Sequence, residues 1–239
     1  MKILVVDDEP VSREALIELA EAASQQPPGV ATDGRAAWAR LDGGESVGLV
    51  LSDIRMPHMS GLELVARLRG DPRFEQLPVM LVSTANDRAT VESALQAGVQ
   101  GFVLKPVTHG ALQRVRHVME RFRHALIEPN TQAMSRLGVN QGRFDTYVSA
   151  LVTQGQALAD RMAGAVKAQE ERSFQELKVA VKTQRVVAST LGASKLVPVL
   201  AWLEKCLESA TDRATLPQAL AAYRLNLYWL QCLKQAMSA

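Results

Sequence analysis

The chain of 239 residues exceeds the usual domain size of roughly 150 by about half, which predicts two domains. With 47% hydrophobic and 22% charged residues it is not a disordered chain, and no run approaches the roughly 18 apolar residues of a membrane span. The net charge of +2 divides unevenly: residues 1–124 carry 14 Lys and Arg against 16 Asp and Glu, and residues 125–239 carry 13 against 9. Such a diffuse excess argues against a nucleic-acid surface, which usually shows a clustered basic stripe. Cys206 and Cys232 supply neither a disulfide framework nor a metal quartet. Asp7 and Asp8 interrupt the apolar N-terminus before it can serve as a secretory segment, so the expected location is cytoplasmic.

Taken in order, the first 124 residues alternate short apolar runs with amphipathic segments. Strands are predicted at Ile3–Val6, Val30–Thr32, Val47–Leu51, Val79–Val82 and Phe102–Leu104, because near-continuous apolar runs suit strands covered on both faces. Helical periodicity marks Pro10–Ala23, Gly34–Leu41, Gly61–Leu68, Asp87–Ala97 and Thr108–Leu126. Five β-α repeats predict an α/β domain over residues 1–124, a doubly wound five-stranded parallel sheet. A linker at 125–130 follows, hinged at Glu128-Pro129-Asn130.

Beyond it the period changes. Phe144, Val148, Leu151, Leu158, Met162 and Ala165 form one helical stripe; Phe174, Leu177, Val181, Val187 and Leu191 form a second. Leu196–Leu207 and Leu216–Met237 are a third and a fourth. Gly192 ends the second helix, Ser194 is placed to cap the third, and Pro198 lies near enough to its start to be tolerated. The prediction for 131–239 is all-α: an antiparallel four-helix bundle preceded by a short helix at Thr131–Leu137. Trp202, Tyr223, Tyr228, Trp229 and both cysteines are read as packing residues.

Chemistry in an open α/β sheet collects at the carboxyl ends of its strands. There the sequence places Asp7 and Asp8, Asp53, Ser83 and Thr84, and Lys105-Pro106. Crowded carboxylates repel, and a hard divalent cation such as Mg²⁺ relieves them. One carboxylate can then act as a nucleophile toward phosphorus, with lysine and metal neutralising the transferred group.

Val5-Val6-Asp7-Asp8, Ser52-Asp53-Ile54-Arg55-Met56-Pro57, Gly61-Leu62, Pro78–Ser83 and Gly101–Pro106, in that order, resemble the receiver domains of two-component response regulators, which are CheY-like and flavodoxin-like in fold. The resemblance implies Asp53 as phosphoacceptor, and Asp8, Asp53 and the Arg55 backbone carbonyl as Mg²⁺ ligands, with Asp7 acting largely through a metal-bound water. It also implies Ser83, with Thr84 beside it, and Lys105 as phosphoryl contacts, Phe102 as an aromatic switch, and a cis peptide before Pro106. Arg55 and Ala85 are expected to tune phosphate lifetime. His58, in the loop after Met56-Pro57, is expected beside the pocket, and His109, His117 and His124, on the last helix, are read as solvated.

In the second half, Ala180–Ala193 with Leu196, Leu200 and Leu203 resembles the central hairpin of histidine phosphotransfer (HPt) domains. That family places its phosphorylatable His ten residues before a Leu-Gly-Ala. Counting back from Gly192 of Leu191-Gly192-Ala193 reaches Lys182, and no histidine follows His124. A protonated lysine has no free lone pair to accept a phosphoryl group, so a pseudo-HPt docking module is expected. Lys178, Lys182, Arg185 and Ser189 fall on one helical face, a cationic ridge suited to a receiver's acidic rim.

The expected function is therefore that of a response regulator, not an enzyme. Its phosphodonor would be a sensor histidine kinase or phosphotransfer protein, and its output would run through a protein partner of the helical domain, with homodimerisation left open. A transcriptional regulator with a nucleic-acid-binding helical domain is the alternative; the long helices and scattered charges count against it.

Overall fold

The computed structural model describes residues 1–84, 94, 96–127, 130–168, 171–209 and 211–237. Most of the helix expected at Asp87–Ala97, including Ala85 before it, and the Glu128-Pro129 part of the hinge lie outside the described residues. The chain divides into two compact units, Met1–Phe122 and Arg123–Ala239.

In the first unit, strands β1 (Ile3–Val6), β2 (Gly29–Ala31), β3 (Leu49–Asp53), β4 (Val79–Ser83) and β5 (Gly101–Leu104) form one sheet in the order β2-β1-β3-β4-β5. Every pairing is parallel. Ile3–Val6, Leu49–Leu51 and Val79–Val82 are buried, as apolar strands sandwiched between helices must be. The third strand begins two residues later than its apolar run suggests. The ladder with β1 starts at the Ile3–Leu49 pair, and the Gly48 amide is already committed to the Lys2 carbonyl. The same strand runs on through polar Ser52 and Asp53, because Asp53 still pairs with Val82.

Helices α1 (Pro10–Ser24), α2 (Gly34–Asp42), α3 (Gly61–Arg69) and α4 (His109–Leu126) flank the sheet. Pro10 opens α1, where its missing N–H costs nothing. Asp33 caps α2 by accepting from the Ala36 amide at 2.8 Å. Ser60 and Glu63 form a reciprocal capping box on α3. Half-buried Arg69, at the end of α3, donates to the carbonyls of Leu77 at 2.9 Å and Gly98 at 3.1 Å, and lies 3.4 Å from those of Phe74 and the Gln100 side chain.

The second unit is helical. It contains α5 (Asn130–Leu137), α6 (Gln141–Ala168), α7 (Glu171–Thr190), α8 (Leu196–Cys206) and α9 (Leu216–Met237), with a short 3₁₀ turn at Asp212–Thr215. Gly192 closes the end of α7 in the left-handed region at φ +72°, and the Ala193 amide reaches back to the Ala188 carbonyl. Ser194 does not cap α8. Lys195 occupies the cap position without a side-chain bond, and the Ser194 hydroxyl turns instead to the Ala125 carbonyl. Tyr223, Trp229, Cys206 and Cys232 are buried as expected, whereas Trp202 and Tyr228 remain half exposed. Buried Gln184 of α7 donates to the Leu151 carbonyl of α6 at 2.8 Å, a polar tie that hydrophobic periodicity passes over. No helix among the described residues is long and apolar enough to cross a membrane.

Candidate functional site

The carboxyl ends of β1, β3, β4 and β5 face one cleft of about 460 Å³, lined by Glu9, Asp53, Ile54, Arg55, Ser60, Leu62, Ser83, Thr84 and Lys105. Asp7, at the end of β1, is fully buried. One of its carboxylate oxygens accepts from the Glu9 amide at 2.9 Å; the other accepts from the Ser12 hydroxyl at 2.7 Å. The Arg13 guanidinium donates to the Asp7 and Asp8 carbonyls at 2.9 and 3.3 Å. Asp7 is thus a turn residue that organises the start of α1 and, at the same time, part of the acidic rim.

Asp53 divides its two oxygens. Oδ1 accepts from the Ile54 amide at 2.7 Å, and Oδ2 accepts from Lys105 Nζ at 2.8 Å. Lys105 Nζ also lies 3.0 Å from Asp7 Oδ2. Burial by itself would lower the Lys105 pKa, but the hydrogen bonds it donates to Asp53 and Asp7 outweigh it and hold the ammonium above its ordinary value. Carboxylate oxygens of Asp7, Asp8 and Asp53 come within 4.8 Å of one another. Their side-chain oxygens gather around a single ammonium, Arg13 being turned to the backbone carbonyls of Asp7 and Asp8, and such a set of oxygen donors is what a hard divalent cation prefers. The residues present therefore fit Mg²⁺.

The backbone after Asp53 is held tightly. The Gly61 amide donates to the Ile54 carbonyl at 2.9 Å, and a Cβ at Gly61 would lie 2.2 Å from the Asp53 carbonyl oxygen. No side chain fits there, which is why glycine starts α3. The Lys105–Pro106 peptide is cis.

Of the residues singled out from sequence, the structure brings together Asp7, Asp8, Asp53, Arg55, Ser83, Thr84 and Lys105. The Arg55 guanidinium reaches across the mouth to within 3.4 Å of the Thr84 hydroxyl. Phe102 is not among the cleft residues. It is half buried and lines a separate groove with Met80, Gln100, Gln113, Arg114 and His117. Its β5 neighbour Val103 points the other way and is fully buried. His58, His117 and His124 are exposed. Leu62, part of the Gly61-Leu62 motif, also lines the cleft, and Glu9 and Ser60 line it without having been anticipated; the third acid in succession and the Ser-x-x-Glu box were the signals available.

The ridge on α7 differs from expectation in its charge. Lys178 lies 3.3 Å from Glu208 and Arg185 lies 3.0 Å from Glu204, because the segment from α8 onward presents acids to that side. Lys182 and Ser189 remain exposed, and among the described residues no carboxylate pairs with Lys182. Val179 and Val186, 68% and 59% exposed, flank Lys182 on the same face.

Residues 3–116 match the response regulator receiver domain family. The chemotaxis protein CheY1 of Helicobacter pylori is 34% identical over 119 residues, an alignment covering 50% of this chain and 96% of that protein. The chemotaxis protein CheY homolog of Campylobacter jejuni is 35% identical over 113 residues, covering 47% of this chain and 87% of that one. Among solved structures, the response regulator receiver protein from Pseudomonas putida is 34% identical, covers 48% of this chain and 93% of its own, and superposes with a TM-score of 0.42.

Proposed function

Because the chain belongs, through its first unit, to the response regulator receiver family, we propose that it is a signalling protein switched by phosphorylation of Asp53 and read out through its helical region. The observation that carries this reading is the divided carboxylate of Asp53. Oδ1 is held by a backbone amide, so Oδ2 faces the cleft beside Lys105. Asp8, Asp53 and the Arg55 carbonyl would hold Mg²⁺, with Asp7 behind them; when bound, the ion supplies positive charge for the phosphoryl oxygens. A lone pair on Oδ2 forms the new bond to phosphorus. The bond from phosphorus to the donor's leaving group breaks, and that group departs with the electron pair. Lys105 exchanges its contact with Oδ2 for one with a phosphoryl oxygen, and the Ser83 and Thr84 hydroxyls, in the same cleft, donate to the others. Phe102, two residues along β5 from Leu104, which pairs with Ser83, is the ring that would respond. The donor is a histidine kinase or phosphotransfer protein, and the chain catalyses nothing beyond its own phosphorylation and dephosphorylation.

The contacts of α6 with α7, α7 with α8, α8 with α9 and α9 with α6 support an antiparallel four-helix bundle of HPt type. Lys182 stands where that family has its histidine, so the bundle docks without carrying phosphate. With Lys178 and Arg185 already paired, its docking surface reduces to Lys182 between Val179 and Val186. An ammonium set in an apolar patch complements the acidic, Asp-lined rim of a partner's receiver.

The test is labelling of the full chain by a small phosphodonor with and without Mg²⁺. Label should require the ion and disappear in Asp53→Asn; label persisting in that variant, or mapping to residues 123–239, would reject the assignment. For docking, Lys182→Glu should weaken capture of a purified receiver partner at least tenfold while the bundle stays folded, and unchanged affinity would remove that role.

A further inference from the structure

We propose that Gly34, the first residue of α2, is a positioning residue for the loop that carries the Arg55 carbonyl, and hence for cation binding at the Asp7, Asp8 and Asp53 rim. The inference rests on reading that rim as a magnesium-dependent phosphorylation site. The loop between β3 and α3 is pinched at its base, where the Gly61 amide meets the Ile54 carbonyl at 2.9 Å. Its far end is a tight turn: the Met59 amide donates to the Pro57 carbonyl at 2.7 Å, and His58 sits at φ +64°, a region side-chain-bearing residues rarely adopt. The capping box at Ser60, next to Met59, holds the α3 side of that tip.

Its second tie is to α2. The amide of Gly34 is one of the helix N-terminal donors that lack an intrahelical partner, and it donates to the Met59 carbonyl at 3.1 Å. A Cβ on Gly34 would lie 2.6 Å from that carbonyl oxygen and 2.7 and 2.9 Å from Met59 Cγ and Cβ. Gly34 is buried and has no left-handed φ, so glycine is required there for contact rather than for conformation. The loop is therefore a span held at both ends by glycines, with Arg55 and Met56 between them. Adding one carbon at Gly34 must push the Met59 backbone outward, and the strain passes along the short span to the Arg55 carbonyl. Groups bonded directly to metal ligands typically change affinity by about 10–100-fold, and a support acting one step further out, through the loop, belongs at the lower end of that range.

The experiment compares Gly34→Ala with Gly43→Ala in the full chain. Gly43 lies just past the other end of α2, where a Cβ would be 3.1 Å from the Ala39 carbonyl, so it reports strain on the helix alone. Calorimetric titration with MgCl₂ should show about a tenfold loss of affinity in Gly34→Ala and less than a twofold change in Gly43→Ala. Because the clash at Gly34 also lowers stability, both variants are titrated at a temperature where circular dichroism in EDTA shows each fully folded. Wild-type affinity in Gly34→Ala, or an equal loss in Gly43→Ala, would overturn the proposal. Should Gly34→Ala fail to fold, Met59→Gly removes the side-chain atoms that bear on Gly34 and loosens the tip; it should lose affinity in the same direction, and no loss would overturn the proposal. If the wild-type chain itself takes up no Mg²⁺ at a site abolished by Asp8→Asn, the reading of the rim fails, and this inference with it.

Discussion

Asp7 and Lys105 carry more than one duty each. The buried Asp7 carboxylate organises the start of α1 and shares Lys105 with Asp53. Replacing Lys105 by Met leaves two neighbouring carboxylates without their cation in a poorly solvated place. The first unit of Lys105→Met should lose about 1–3 kcal/mol in urea titrations in EDTA. Gly61→Ala forces a Cβ onto the Asp53 carbonyl and should cost a similar 1–3 kcal/mol while also reducing phosphodonor labelling. A variant as stable as the wild type would show that the loop yields without strain. At this scale the sequence was legible wherever a residue type announces its chemistry: Asp7, Asp8, Asp53 and Lys105 could be placed from their positions after apolar runs. Gly34 could not, because its significance lies in what a side chain would strike, and Met59 is 25 residues away in the chain.

Among elements, the first unit is tied along the end of α2 by acids held in their charged form. Burial tends to raise the Glu45 pKa, but hydrogen bonds from Arg40 and Lys2 outweigh it and hold the carboxyl below its ordinary value. Asp71 behaves likewise: burial raises it, and Arg73 more than reverses the effect. A depressed folded-state pKa gives stability that is complete above the ordinary carboxylate value and is lost as pH falls through the folded one. Urea midpoints of the first unit should therefore drop on acidification below about pH 4, and Glu45→Gln should flatten that slope. In the helical unit, Gly155 allows α9 to approach α6; a Cβ there would lie 2.6 Å from Leu227 and 2.9 Å from the Tyr223 hydroxyl. Gly155→Ala should lower the stability of that unit by about 1–3 kcal/mol by calorimetry. Element types followed from periodicity, while their edges did not. The start of β3 is set by its ladder with β1, and the cap of α8 by Ser194 finding the Ala125 carbonyl, both non-local.

For the molecule as a whole, the change in hydrophobic period after residue 124 signalled two folds in one chain, and the boundary along the chain falls between Phe122 and Arg123. The charge state of the α7 ridge was not legible, since Glu204 and Glu208 reach it only through the tertiary fold. Scanning calorimetry should resolve two transitions, of which Mg²⁺ raises only one; a single transition moved as a whole by the ion would show that the units unfold together. Arg69 adds a consequence of its own. Its guanidinium donates to neutral carbonyl and amide oxygens, and the one acid that acts on it, Glu75, does so through space without a hydrogen bond, so protons in solution remove little there. Mild acid should therefore dismantle the molecule unevenly, fraying the far end of α2 first while the joint between α3 and the last two strands keeps its slow amide exchange.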